Sequence, residues 1–166
     1  MLAIVSVLVS CTSNSAPATP SITLPLNLKL AGSRVVFDLH VVEEAIYSFS
    51  LVFMFGEHNS IDRARAKRLA GGYDLDQWGR LVNPGLAIFL ELEIRQIQPI
   101  SQSTLVKMNS SELPLSSWGG DNFSKVIYDA HLNPGDYKVS VTSLVSFPEE
   151  EGAKVFFNIA RAYRGK

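Results

Sequence analysis

The segment GGYDLDQWGR contains the residues best placed to do chemistry, because Asp74 and Asp76 are spaced like the first two ligands of a calcium loop. An EF-hand loop also needs an oxygen ligand at its fifth position and a bidentate glutamate at its twelfth. Those positions hold Trp78 and Gly85, so the match ends after two ligands. We interpret the segment as a polar surface turn, and we predict no metal site and no cofactor.

The histidines His40, His58 and His131 lie far apart in the sequence, without the spacing of a zinc site. His40 lies near Glu43 and Glu44, as in an acid/base cluster, and on an alternating strand His40 and Glu44 would share a face. A solvated strand face explains these residues equally well. The sequence has no G-x-S-x-G elbow, P-loop or Rossmann glycine pattern. We therefore predict no catalytic residues and no enzymatic activity.

The single cysteine, Cys11, ends the segment LVSC, which fits the lipobox of bacterial lipoproteins. In those proteins a signal peptidase cuts before the cysteine, whose thiol and new amino group are then acylated. We predict a signal peptide over residues 1–10, a lipidated flexible tether over 11–21 and a folded domain over 22–166. The leader has no Lys or Arg, which would fit a start upstream of Met1. The alternative is a buried first strand with an inert cysteine.

Composition and sorting signals narrow the location and the partners. A length of 166 residues suits one domain, and a net charge of −1 gives no reason to expect a nucleic-acid partner. By resemblance to lipoprotein sorting, Thr12 directly after the cysteine predicts the outer membrane. We therefore expect an envelope protein that is held to the membrane by lipid on Cys11 and faces the periplasm or the cell surface.

From residue 22 the hydrophobic pattern is mostly of period two, which is typical of strands with one buried face. Pro25 lacks an amide donor, so the first strand should lie at a sheet edge or break there. In a later strand, Leu90, Leu92 and Ile94 should face inward and Glu91 outward. The segments with this pattern are ITLPLNLKL, RVVFDLHVV, IYSFSLVFMF, GLAIFLELEIRQI, STLVKM, FSKVIYDAHL, GDYKVSVTSLVSF and KVFFNIARAYR.

One segment, NSIDRARAKRLAGG, changes from strand to helix character. Asn59, Ser60 and Asp62 are candidate N-terminal caps, and Gly71 or Gly72 suits the C-terminal stop. A short helix inserted among about eight strands predicts an antiparallel, immunoglobulin-like β-sandwich. In LNPGDYKVSV a Pro-Gly turn precedes a tyrosine, whose hydroxyl should fix the corner of such a sandwich.

The order of these segments resembles a known family. The aromatic strand IYSFSLVFMF, the Asp/Arg helix ending in Leu-Ala-Gly-Gly, NPGLAIFLELEI, LNPGDYKVSV and VFFNIARAY are similar to proteobacterial lipoproteins of domain-of-unknown-function family 5625. The resemblance covers roughly residues 34–163. It implies a sandwich fold and a location in the cell envelope. Its motifs are structural, so it implies no active site.

The helix segment also contains the densest basic patch of the chain. It is either a solvated helix face or a docking surface for an acidic partner or lipid head groups. Trp78 is either a core residue or an exposed anchor for a partner. The residues we predict to bind a partner are Arg63, Arg65, Lys67, Arg68 and Trp78.

The function expected from these features is non-covalent recognition of another protein by a lipid-anchored envelope protein, and immunity lipoproteins are included in this class. One alternative is an accessory structural subunit of an envelope or secretion machine. A further alternative is an envelope hydrolase that uses carboxylates such as Asp74, Asp76 or Glu91.

Overall fold

The computed structural model describes residues 21–56, 59–72, 75–80, 82–98, 102–110, 113, 115–147 and 154–162. The predicted signal peptide and nearly all of the predicted tether lie outside these residues. Cys11, His58 and Asp74 lie outside them as well. Within the described residues, no helix is long and apolar enough to cross a membrane.

The described part of the chain forms nine strands and one helix. In chain order they are β1 (Ile22–Pro25), β2 (Arg34–Val41), β3 (Ala45–Met54), α1 (Ser60–Ala70), β4 (Leu90–Ile97), β5 (Gln102–Ser110), β6 (Leu115–Trp118), β7 (Asn122–Leu132), β8 (Gly135–Ser143) and β9 (Lys154–Arg161).

The strands form two antiparallel sheets. Sheet A has the order β1-β9-β3-β7-β6, and sheet B has the order β2-β8-β4-β5. The predicted class, a mainly β antiparallel sandwich with one short inserted helix, is confirmed. β1 lies at the edge of sheet A and ends at Pro25, as the missing proline amide predicts. The alternation of apolar residues continues to Leu28, which is buried, but the hydrogen-bonded strand ends at Pro25.

Alternate residues of the two sheets fill the space between them. On β3, Phe49, Leu51 and Phe53 are at most 1% exposed. The ring of Phe157 on β9 lies 6.0 Å from the ring of Phe37 on β2, so this aromatic contact joins sheet A to sheet B. Burying one such side chain contributes about 1.5–3 kcal/mol. The aromatic residues predicted to lie in central strands therefore form the core.

The two ends of α1 are defined by the residues that the sequence indicated. The Asn59 side chain accepts hydrogen bonds from the amides of Ile61 and Asp62, each at 3.1 Å. Gly71 follows the last helical residue with a φ of 81°, and its amide donates to the Lys67 carbonyl. These contacts satisfy backbone groups that every helix leaves without an internal partner.

The C-terminal end of α1 lies against the turn at residues 83–85, which leads into β4. The Leu86 amide donates to the Leu69 carbonyl at 3.3 Å, and the Gly72 amide donates to the Asn83 carbonyl at 2.7 Å. The helix end and the turn therefore meet backbone to backbone. This close contact fixes where α1 lies relative to the turn that leads into β4.

A buried lysine supports the same turn. Lys125 lies on β7 in the inward-facing row with Phe123 and Ile127, and it is 1% exposed. Its Nζ donates a hydrogen bond to the Pro84 carbonyl at 2.9 Å. Burial lowers the pKa of Lys125 to about 8, because the protein interior disfavours the charged form.

Tyr137 forms the predicted corner at the start of β8. Its hydroxyl donates to the Asn133 carbonyl at 2.8 Å, across the Pro-Gly turn between β7 and β8. The side chain is 1% exposed, and burial raises the pKa of its hydroxyl. The hydrogen bond therefore ties the turn to the core between the sheets.

Replacing this tyrosine by phenylalanine should lower the free energy of unfolding by about 1–2 kcal/mol, because the Asn133 carbonyl loses its donor. Urea denaturation of wild type and Tyr137→Phe measures the loss. The control is Tyr128→Phe, since Tyr128 is 37% exposed and its substitution should have almost no effect. Equal losses in the two variants would show that the corner does not stabilise the fold.

Candidate functional site

The packing of α1 decides which way its basic residues point. Ala66, Leu69 and Ala70 are buried, and they place the helix against β3 and β7 of sheet A. Residues four apart lie on the same side of a helix. Arg63 and Lys67 therefore share one exposed side of α1.

That side of α1 faces β6 across a cleft of about 230 Å³, which we call the α1–β6 cleft. The helix and the residues after it form one wall, and the β6–β7 pair forms the other wall and the floor. The described residues that line the cleft are Arg63, Lys67, Gly71, Gly72, Leu115, Trp118 and Phe123.

The floor and the far wall of the cleft are aromatic. Trp118 on β6 is directly opposite Phe123 on β7. Phe123 is buried, and its ring centroid lies 5.0 Å from that of Phe55. Trp118 is 57% exposed at the cleft. The Arg63 guanidinium lies 5.5 Å from the centre of the Phe55 ring, so the cation rests on the same aromatic group.

This lining has a defined chemical preference. It combines two cations, two glycines and three apolar side chains. A guanidinium such as that of Arg63 pairs with planar carboxylates, and an ammonium such as that of Lys67 acts as a point charge. An exposed tryptophan provides a large apolar contact area at little cost in conformational entropy. The cleft is therefore suited to an anionic group that lies next to an apolar one.

The other two predicted basic residues lie elsewhere on the helix. Arg65 points to the opposite side of α1, where its Nη1 is 3.1 Å from Asp62 Oδ1. There it lines a smaller pocket together with Lys154. Arg68 is exposed and is not among the described residues that line the α1–β6 cleft. The predicted basic patch is therefore divided by the helix, and only Arg63 and Lys67 meet at the cleft.

Trp78 lies in a separate turn that is closed by Asp76. The Asp76 carboxylate accepts hydrogen bonds from the amides of Trp78 and Arg80 at 2.8 and 2.9 Å, and from Arg80 Nε at 2.8 Å. The Arg80 amide is the main reason that the pKa of Asp76 is lowered. Trp78 is 69% exposed, with the Arg80 guanidinium 4.7 Å from the centre of its ring. Trp78 is therefore a surface residue, and it lies outside the described lining of the cleft.

Two histidines lie beside carboxylates at the other end of the sandwich. His40 Nδ1 is 2.7 Å from Asp136 Oδ1, and His131 Nε2 is 3.1 Å from Glu44 Oε1. β2 ends at Val41, so the alternation expected to bring His40 and Glu44 to one face stops before Glu44. All four paired side chains are well exposed. Within the described residues, no group of three or more His, Cys, Asp or Glu could hold a metal ion.

The apolar half of the cleft was not among the residues predicted from the sequence. Leu115 and Trp118 lie in LSSW, which is uncharged and too short to show a period, and Phe123 begins FSKVIYDAHL, whose pattern indicates a strand but no binding site. The available signal was a tryptophan directly before the Gly119-Gly120 pair, which indicates a large side chain beside a tight turn. β6 and α1 line the same cleft although more than forty residues separate them in sequence.

The fold and the cleft together define a class of protein: a two-sheet antiparallel sandwich with one helix laid against its larger sheet. The chain belongs to the family described as domain of unknown function DUF5625, whose model matches residues 23–161. This match confirms the family indicated by the sequence segments, and it extends over both sheets.

A protein of Sulfurospirillum deleyianum has a similar crystal structure. It aligns with a TM-score of 0.74 and 21% sequence identity, covering 89% of this chain and 100% of that chain. This likeness shows that the fold is shared. No curated protein matches the sequence.

Proposed function

We propose that this protein is a lipid-anchored envelope protein that recognises another protein non-covalently through the α1–β6 cleft. Immunity lipoproteins, which neutralise a delivered toxin, are one form that such recognition takes. The observation that carries the proposal is the cleft itself, in which Arg63 and Lys67 lie beside the exposed Trp118. Arginine and tryptophan are the residue types most enriched where protein interfaces derive their affinity.

The position of the cleft also suits a tethered protein. Ile22 pairs with Ile159, and from there β1 runs toward the end of the sandwich where β3 stops at Met54. α1 follows β3, so the α1–β6 cleft lies at that same end. A tether over residues 11–21 would span at most about 40 Å. It would enter the domain at β1, the edge of sheet A opposite to β6, which leaves the cleft open to a partner.

The hydrolase alternative receives no comparable support from the described carboxylates. Asp76 is occupied by the hydrogen bonds that close its own turn. Glu91 lies on the outer face of β4, with Lys107 Nζ 3.6 Å from its carboxylate. These two carboxylates belong to separate parts of the surface and do not flank a common cleft.

Reversing the charge of the cleft should strongly weaken binding of the partner. The full chain in detergent serves as bait for an envelope extract of the producing strain, and the eluted proteins are identified by mass spectrometry. The Arg63→Glu, Lys67→Glu double variant should retain about tenfold less of the partner than wild type does. Its two glutamates would face the anionic group of the partner, and like charges across an interface are strongly unfavourable.

The matched control is Lys107→Glu with Lys138→Glu, which makes the same change in net charge on the outer face of sheet B. Both lysines are exposed and pair only loosely, with Glu91 at 3.6 Å and Asp38 at 3.8 Å. The control should retain the partner at the wild-type level. A bait that captures no stoichiometric protein, or a partner retained equally by both double variants, would refute the proposal.

A further inference from the structure

We infer that the α1–β6 cleft binds the C-terminal residue of its protein partner, with the free α-carboxylate at Arg63 and Lys67 and an apolar side chain beside Leu115. This inference rests on the proposed function, since it specifies which part of a protein partner the cleft accepts. Three observations on the described residues carry it: two cations without a carboxylate, the change in lining along the cleft, and the size of the cleft.

The two cations of the cleft differ from most other basic side chains of the described residues. Those that lie within 3.8 Å of a carboxylate oxygen are Arg65, Arg80, Arg95, Lys107, Lys138 and Arg161. Within the described part of the chain, neither Arg63 nor Lys67 has such a partner. A guanidinium can donate to both oxygens of a carboxylate, and an ammonium can add a third hydrogen bond. One carboxylate would therefore satisfy both cations.

The helical wall of the cleft changes from charged to uncharged along its length. Arg63, Lys67 and Gly71 are spaced four residues apart, so they follow one another along the same side of α1 and its end. Gly71 and Gly72 line the cleft without side chains. The cations therefore occupy one part of the wall, and the glycines leave space for the body of a ligand at the other part.

Leu115 lies at the glycine end of the cleft. It pairs with Lys125, whose Nζ donates to the Pro84 carbonyl at 2.9 Å. Pro84 in turn lies against Gly71, because a Cβ added to Gly71 would be only 2.6 Å from the Pro84 carbonyl carbon. A ligand whose carboxylate is bound by the cations would therefore place its apolar part beside Leu115.

The cleft has room for about one residue. Its volume of about 230 Å³ is smaller than the roughly 300–1,000 Å³ of ordinary ligand pockets, and it equals the volume of roughly eight water molecules. An internal Asp or Glu has no apolar side chain of its own, and in an extended chain the next side chain on the same side is about 6–7 Å away. A C-terminal residue carries a carboxylate and an apolar side chain on one Cα. It therefore fits both the size and the lining of the cleft.

A library of random pentapeptides, attached through their N-termini so that every C-terminus is free, tests this inference without the natural partner. The full chain in detergent is applied to the library, and the bound peptides are sequenced. They should share an apolar C-terminal residue, with little preference further from the terminus. The Arg63→Glu, Lys67→Glu variant should bind them about tenfold more weakly, and the Lys107→Glu, Lys138→Glu control should bind them as wild type does.

Three forms of one selected peptide then identify the group that is bound. The free acid is compared with its C-terminal amide, which lacks the charge, and with a form extended by Gly-Gly, which moves the charge away from the apolar side chain. Fluorescence polarisation of N-terminally labelled peptides gives the three dissociation constants with the full chain. Both altered forms should bind about tenfold more weakly than the free acid, because the cations lose their carboxylate while the apolar contact remains.

A substitution at the glycine end tests where the apolar side chain lies. Leu115→Phe should narrow this end of the cleft and shift the selection toward smaller C-terminal side chains. The control is Val36→Phe, since Val36 is 47% exposed on β2 of the other sheet. The control should select the same peptides as wild type. An unchanged preference in Leu115→Phe would show that the side chain does not lie beside Leu115.

Three further outcomes would overturn the inference: no peptide selected, an amide that binds as tightly as the free acid, or an extended form that does so. The capture experiment decides the proposed function separately. A partner captured through Arg63 and Lys67 that binds equally well with two residues added to its C-terminus would keep the function and reject the terminal carboxylate. Peptide selection without any captured protein would keep the carboxylate site and reject the wider proposal.

Discussion

Gly71→Ala should destabilise the protein by about 3–5 kcal/mol, which is a large fraction of the total stability of an ordinary domain. A Cβ added to Gly71 would lie 2.5 Å from the Gly85 nitrogen and 2.6 Å from the Asn83 carbonyl oxygen. Both contacts are with backbone atoms, which cannot move aside as a flexible side chain can. The φ of 81° adds a conformational cost for any residue with a Cβ. Relief of either strain would require α1 to separate from the turn at residues 83–85.

Gly32→Ala provides a matched control for this prediction. Gly32 has the same φ of 81°, and a Cβ there would meet nothing within 4 Å. Its substitution should therefore cost only the conformational part, about 1–2 kcal/mol. Thermal and urea unfolding of the two variants separate the steric term from the conformational one. Similar losses for Gly71→Ala and Gly32→Ala would contradict the close backbone contact.

The second large effect concerns the stability of the protein above neutral pH. The pKa of Lys125 is about 8 in the folded chain, against an ordinary value of 10.5. Between these values the unfolded chain binds a proton that the folded chain has released. The free energy of unfolding should therefore rise with pH in this window, by at most about 1.4 kcal/mol for each pH unit. Below about pH 8 both states carry the proton, and this contribution is constant.

The rise should be clearest between about pH 8 and pH 10. Above that range, Tyr47 and Tyr137 act in the opposite direction, because burial raises both of their hydroxyl pKa values above the ordinary 10.0. The unfolded chain then loses those protons first, so stability falls as the pH increases further. Urea denaturation at several pH values measures both trends in wild type.

Lys125→Met isolates the contribution of the lysine. Methionine preserves most of the buried volume and removes the titrating group, so the rise between pH 8 and pH 10 should disappear. Lys107→Met serves as the control, since Lys107 is exposed and its removal should leave the rise in place. A wild-type stability that is flat over this window, or a rise that persists in Lys125→Met, would show that burial does not shift this amine.

Much of the fold was predictable because it depends on local patterns. The alternation of Leu90, Leu92 and Ile94 predicted which face of β4 is buried, and all three are buried in the structure. Asn59 and Gly71 delimit α1 through contacts within a few residues. The Tyr137 corner also spans only four residues, so the sequence motif already contains both of its partners.

The candidate site was harder to predict because it depends on contacts between distant segments. Helical periodicity separates Arg63 and Lys67 from Arg65, but it does not show which side of α1 meets a sheet. Trp118 joins the cleft only because β6 pairs with β7 next to the helix. The inward position of Lys125 was available from the alternation in FSKVIYDAHL, since Phe123, Lys125 and Ile127 share one face. A lysine in an inward-facing row is unusual, because charged side chains are rarely buried without a partner. The hydrogen bond from Lys125 to the Pro84 carbonyl explains its position.

The pairing of β1 with β9 has a practical consequence for handling the molecule. Because Ile22 lies opposite Ile159, β9 ends only two residues beyond the point where β1 begins. The two ends of the folded domain are therefore neighbours on one side of sheet A. A surface coupled through the last strand would therefore hold the molecule beside β1, at the edge of sheet A opposite to β6. A sensor chip built in this way would present the helix and β6 to the solution.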